Sequence, residues 1–203
     1  MKVTKKNNEA AKENLVLNLP NLISALRLGM VPLLASLALE HKAELFLTIL
    51  ALSLFTDALD GFLARRLDQV TKLGTQMDSW ADMATYAVML LGLYVIWPDI
   101  YQSESTYLVI AFSSWLVPLL VCFARFQKFP SYHTWAAKLT AVSLVPGYFV
   151  ATLWGEVLLF RIVLLFYLWV ALEQVMITSI LPRWQGDIDG LWHALSIARS
   201  NGS

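Results

Sequence analysis

Long apolar runs recur along the chain, separated by short polar stretches. Six of them approach the ~20 residues a helix needs to cross the hydrocarbon of a bilayer, at 20–40, 44–67, 76–97, 106–126, 135–154 and 156–181. The first follows LNLPN, where Pro20 and Asn21 have the chemistry of a helix start. The connections PDIYQSEST and QKFPSYHT are short, so successive helices are expected to run antiparallel in one bundle. The pattern predicts an all-α polytopic membrane protein of six transmembrane helices in a single domain over 1–203. Residues 1–17 form an N-terminal segment, and 183–203 a tail with a short interfacial helix from Leu191 to Ile197.

Composition supports that class. Of the 203 residues 58% are hydrophobic and 15% charged, which excludes an ordinary soluble domain. Formal net charge is zero, so nothing in the balance calls for nucleic acid. Trp97, Tyr101, Trp135, Trp154 and Trp184 sit at span ends, as an aromatic belt rather than a base-stacking surface. The placement of charge says more. Lys2, Lys5, Lys6 and Lys12 precede the first span, Arg65, Arg66 and Lys72 lie between the second and third, Arg125, Lys128 and Lys138 flank the fourth-to-fifth connection, and Arg183 and Arg199 follow the sixth. Both termini and the two basic loops are therefore expected in the cytoplasm. The first 17 residues lack an apolar core with a cleavage site, so no cleaved signal peptide is expected there. The lone cysteine, Cys122, excludes an internal disulfide and reads as a small core residue.

One stretch breaks the apolar pattern. In TDALDGFLARRLDQVTKLGTQMDSWAD, Asp57 and Asp60 are three apart at the end of the second span, and Asp78 and Asp82 four apart at the start of the third. Each pair shares a helix face, so two antiparallel helices bring four carboxylates together near one membrane boundary. Mutual repulsion and desolvation oppose four ionised acids without a counter-charge. Hard oxygen donors of this kind suit Mg²⁺, Mn²⁺ or Ca²⁺. The plain alternative is solvated acids facing Arg65, Arg66 and Lys72; it suits Asp68 in the loop but not Asp57, inside a span.

These residues carry a resemblance. Asp57, Asp60, Gly61, Ala64, Arg65, Gly74, Asp78 and Asp82 fit the spacing DxxDGxxARx8GxxxDxxxD, and the chain thereby resembles the CDP-alcohol phosphatidyltransferase family. NLPNLISALR is similar to that family's NxPNxxTxxR start, with Ser24 where Thr is usual. The resemblance implies transfer of a phosphatidyl group from a CDP-linked lipid, usually CDP-diacylglycerol, to the hydroxyl of an acceptor alcohol, with release of CMP. It implies two divalent cations, Mg²⁺ or Mn²⁺, bridged by Asp57 and Asp78, with Asp60 completing one site and Asp82 the other. Asp82 is implied as the general base, and Asn21, Ser24, Gly61, Ala64, Arg65 and Thr71 as contacts to the CDP lipid. Gly74 is expected to allow a tight loop into the third helix, an ordinary turn glycine being an equal reading. The implied location is an integral membrane protein with its site facing the cytoplasm, in the cell inner membrane, and a homodimer stays open.

For the acceptor, Arg125 and Lys138 are candidates, with positive-inside anchoring as the equal alternative; His133 is a weaker one. The GKxKT-like stretch of glycerophosphate-using members and the GLPxP-like stretch of serine-using ones are both missing. Glycerol 3-phosphate, phosphatidylglycerol, an inositol phosphate or another polar head group all fit. Two charges deeper in spans, Arg27 and Glu173, are expected at similar depth and able to pair. Arg161 is expected to snorkel to the interface without a task. A divalent-metal transporter and a non-catalytic membrane scaffold are the alternative functions. Acids clustered at one boundary disfavour the first, and the full set of four carboxylates disfavours the second.

Overall fold

The computed structural model describes residues 19–66, 72–128, 130, 132, 134–186 and 188–200, with the side chains of 19–21, 58–66, 72, 73, 75, 199 and 200 outside that description. Among the described residues the chain is all α, with seven helices: α1 Leu19–Leu39, α2 Ala43–Arg66, α3 Lys72–Ile96, α4 Pro98–Phe126, α5 Trp135–Trp154, α6 Leu158–Ile180 and α7 Leu191–Ser200. Leu22–Leu39, Gln76–Ile96, Pro98–Phe126, Trp135–Trp154 and Leu158–Ile180 are long and apolar enough to cross a membrane, and the protein is a polytopic helical membrane protein. The remaining expected span, the second at 44–67, corresponds to α2, whose side chains beyond Asp57 lie outside the described residues.

The expected boundaries agree closely except in two places. The fourth span was expected from 106, with PDIYQSEST as a connection; instead α4 begins at Pro98. Proline suits the first helical position because the helix needs no N–H there, and Asp99 in the first turn complements the helix dipole. The second place is Gly74. It lies in the first turn of α3 and not in a loop.

The chain divides into two compact units, Met1–Pro98 and Asp99–Ser203. In the first, α1 packs against both α2 and α3. The turn between α1 and α2 is tight: His41 takes a left-handed conformation, φ 55°, and the His41 and Lys42 amides donate to the carbonyls of Ala38 and Leu37. Each helix then turns one stripe inward. On α1 it runs through Ser24, Arg27, Leu34 and Ala38, on α2 through Phe46, Leu50 and Ser53, and on α3 through Ala81, Thr85, Val88 and Met89, all buried.

In the second unit α6 packs against α5 and α7. Gly147 makes the α5–α6 contact close, since a Cβ there would sit 3.2 Å from the Phe160 Cα. The Thr134 hydroxyl accepts the Ala137 amide at 3.2 Å and caps the start of α5. Gly155 ends α5 with φ 72°, where any side chain would be strained. The tail helix expected at 191–197 is present as α7. With Cys122, Tyr132, Ile177, Leu181 and Ile188, its Ala194 forms one buried cluster, so Cys122 is the core residue it was expected to be. The Tyr132 hydroxyl lies 3.1 Å from the Thr178 hydroxyl, and burial pushes its pKa up to about 12.

Arg161 does not merely snorkel. Its Nε and Nη2 donate to both carboxylate oxygens of Glu104, at 2.9 and 2.6 Å, and its guanidinium lies over the Tyr107 ring. Glu104 is fully buried. A buried carboxylate needs a paired donor, and the expected free cation supplies it.

Candidate functional site

The inward stripes of the first unit are apolar along most of their length and become charged at one end. Asp57 continues the Phe46, Leu50 and Ser53 stripe of α2 at helical spacing, and Asp78 and Asp82 head the stripe of α3 that runs on through Thr85 and Met89. Opposite them on α1 stands Arg27. Among the described residues, one cation and three acids thus stand where three packed helices meet.

Arg27 is fully buried. Its Nη1 contacts Asp57 Oδ1 and donates to Asp78 Oδ1 at 2.9 Å, while Nη2 donates to Asp82 Oδ1 at 2.8 Å. One planar guanidinium therefore ties together acids from two helices, a use of its fork that an ammonium matches poorly. The Nε makes no hydrogen bond among the described residues. The acids themselves stay accessible, with side-chain exposures of 35% for Asp57 and 42% for both Asp78 and Asp82.

Asp57, Asp78 and Asp82 can each offer an oxygen such that the three atoms lie within 4.8 Å of one another. Three hard donors at that separation fit a divalent cation of the Mg²⁺ or Mn²⁺ kind. Among the described residues the charge balance fits as well, because three carboxylates against one guanidinium leave two negative charges over.

Of the other expected site residues, Ser24 is buried on α1 one turn before Arg27, and Gly74 lies one turn before Asp78 on α3. Asp60, Gly61, Ala64 and Arg65 fall within α2 and Asn21 within α1, with side chains outside the described residues. Thr71 and His133 lie outside them altogether. In the second unit, Arg125 Nη2 donates to the Leu181 carbonyl at 3.2 Å and its guanidinium lies over the Phe126 ring. The Lys138 ammonium lies over the Trp135 ring. Both acceptor candidates thus have structural contacts of their own.

Both terminal nitrogens of Arg27 are engaged by Asp57, Asp78 and Asp82, partners that the expected pairing with Glu173 did not include. Reading the spans one at a time matched Arg27 to the acid at similar depth. The signal that points to the aspartates is that Arg27 is the one charged residue between Pro20 and Leu39, at the same membrane boundary as the acidic cluster.

With this geometry in place, likeness to known proteins becomes informative. Residues 17–180 match the CDP-alcohol phosphatidyltransferase family. The chain is similar to cardiolipin synthase (CMP-forming) of Rattus norvegicus, 33% identical over 119 residues, which covers 58% of this chain and 38% of that protein. The human protein of the same name is 31% identical with the same coverage. CDP-diacylglycerol–glycerol-3-phosphate 3-phosphatidyltransferase of Pseudomonas fluorescens is 31% identical over 139 residues, 64% of this chain and 69% of that protein. The chain therefore spans well under half the length of the mammalian relatives it matches. No solved structure matches it at a significant level.

Proposed function

The chain belongs to the CDP-alcohol phosphatidyltransferase family, and on that premise we propose that it transfers a phosphatidyl group from CDP-diacylglycerol to the hydroxyl of an acceptor alcohol and releases CMP. One observation carries this reading: within the matched segment, Asp57, Asp78 and Asp82 converge from two helices to within 4.8 Å, with a buried arginine at their base.

Asp57, Asp60, Asp78 and Asp82 would hold two divalent cations, Mg²⁺ or Mn²⁺. Such a pair, when bound, neutralises the pyrophosphate and stabilises charge on the attacking and leaving oxygens. The rest is done by the chain. Asp82 accepts the proton of the acceptor hydroxyl as its oxygen bonds to the lipid-side phosphorus. The bond from that phosphorus to the bridging oxygen breaks, and CMP leaves with the electron pair. No covalent enzyme intermediate is needed. Arg65 holds phosphate oxygens, and Gly61 and Ala64 leave room for the nucleotide beside α2, with Asn21, Ser24, Thr71 and Gly74 completing the CDP contacts.

The acceptor is glycerol 3-phosphate or phosphatidylglycerol, the reading favoured by the likeness to the two kinds of synthase; Arg125 and Lys138 remain its candidate contacts. The catalytic unit is a single six-span membrane domain, termini and site on the cytoplasmic side of the inner membrane. Purified protein in detergent should release CMP from CDP-diacylglycerol when one of these acceptors and Mg²⁺ or Mn²⁺ are supplied, and stop when EDTA is added. Absence of CMP release with both acceptors and both metals overturns the proposal.

A further inference from the structure

The candidate site also contains a cation to which no comparison assigns a task. Arg27 has no exposed surface, yet three carboxylates from two other helices converge on its Nη1 and Nη2. A cation buried inside an apolar helix stripe is costly and persists only when something over-determines it. Here the contacts have a consistent form: the guanidinium engages Oδ1 of Asp57, Oδ1 of Asp78 and Oδ1 of Asp82. Arg27 is fully buried, whereas the acids keep between 35% and 42% of their side-chain surface open. The arginine therefore lies on the protein side of the cluster, behind the carboxylates.

We propose that Arg27 is a positioning residue for the metal site: from α1 it holds one oxygen of each of Asp57, Asp78 and Asp82, setting their separation for divalent cations on the accessible side. This rests on the metal-dependent reading of those acids given above. The physical reason is repulsion. Three carboxylates within 4.8 Å push one another apart, and each aspartate can relieve this by changing rotamer. A fixed fork of donors behind them removes that freedom before a cation arrives, as partners behind metal ligands commonly do. The positive charge of Arg27 works against a nearby cation. Orientation therefore has to outweigh repulsion, which makes the sign of the effect a test.

The experiment titrates Mn²⁺ into detergent-purified, monodisperse protein and follows the free ion by electron paramagnetic resonance, independent of turnover. Arg27→Met removes charge and fork together. Arg27→Lys keeps the charge on a single nitrogen of shorter reach, and guards against loss of fold in the first variant. Both are expected to weaken Mn²⁺ binding by ~10–100-fold, the usual effect of losing such a partner, with Asp78→Asn as the control that loses a ligand outright. Tighter Mn²⁺ binding in Arg27→Met would show that the arginine competes with the cation, and overturns the proposal. Unchanged binding in folded Arg27 variants makes the residue structural only, and overturns it too, while the metal site survives through Asp78→Asn. If the unsubstituted protein binds no Mn²⁺, the metal-dependent reading falls and this inference with it.

Discussion

Replacing Asp82 by Asn separates its chemical role from its structural one, because the structure shows what the amide can still do. Asp82 Oδ1 accepts from Arg27 Nη2 at 2.8 Å, and the carbonyl oxygen of Asn is isosteric with it. The contact becomes an ordinary hydrogen bond in place of a charge-assisted one, a loss of about 1 kcal/mol. Asp82→Ala instead leaves a donor of the fully buried Arg27 without a partner, which costs about 1–3 kcal/mol. For activity the order of magnitude differs. An amide accepts no proton from the acceptor hydroxyl, and loss of a general base costs about 10²–10⁴-fold in rate, or ~2.7–5.4 kcal/mol of barrier. Asp82→Asn should therefore melt close to the unsubstituted protein while CMP release falls at least about 100-fold. Thermal unfolding and CMP release measured on one detergent preparation decide the matter. An Asp82→Asn protein that keeps activity within about threefold, against the loss expected for a base, refutes the assignment of the proton acceptor. One that unfolds as readily as Asp82→Ala refutes the hydrogen-bond account of its contact with Arg27.

Two further predictions concern the second unit. At Gly147 an added Cβ meets backbone, the Phe160 Cα at 3.2 Å, which cannot rotate away; Gly147→Ala should cost about 1 kcal/mol despite its gain in helix propensity and Gly147→Leu about 3 kcal/mol, and an unchanged or raised melting temperature would contradict the close α5–α6 approach. For the pair Glu104 and Arg161, Arg161→Met strands a fully buried carboxylate and should cost about 3–5 kcal/mol. The double variant Glu104→Gln with Arg161→Met should recover part of that in thermal unfolding, and strict additivity of the two single effects would rule out the coupling.

Helix existence was legible from apolar run length alone, because a segment that crosses hydrocarbon must satisfy its backbone internally. Five expected spans reappear as α1, α2, α3, α5 and α6 to within a few residues. The fourth was legible only in part. Gln102, Glu104 and Ser105 made the segment after Trp97 look like solvated connection, yet Glu104 is buried because Arg161, 57 residues away, neutralises it. Run length is a local property, and an ion pair between two helices cancels polarity that the local sequence still displays. The same non-locality hid the task of Arg161.

The candidate site divides along the same line. Spacing on one helix decides whether two side chains share a face, so the Asp78 and Asp82 pair was fixed by a four-residue interval, and the doubled interruption of two apolar stripes marked them as a cluster with Asp57. Which cation faces that cluster depends on how a third helix packs, and no interval in the sequence encodes that. Depth alone offered Arg27 to Glu173. The convergence of α2 and α3 on α1 supplies Arg27 with three carboxylates. A buried guanidinium has five N–H groups and loses solvation at all of them. The packing that offers it the most acceptors is the one that offsets this cost, and it also brings the carboxylates together. In this fold the burial of Arg27 and the convergence of the three aspartates go together, so whatever removes the arginine should be felt first at the acidic cluster.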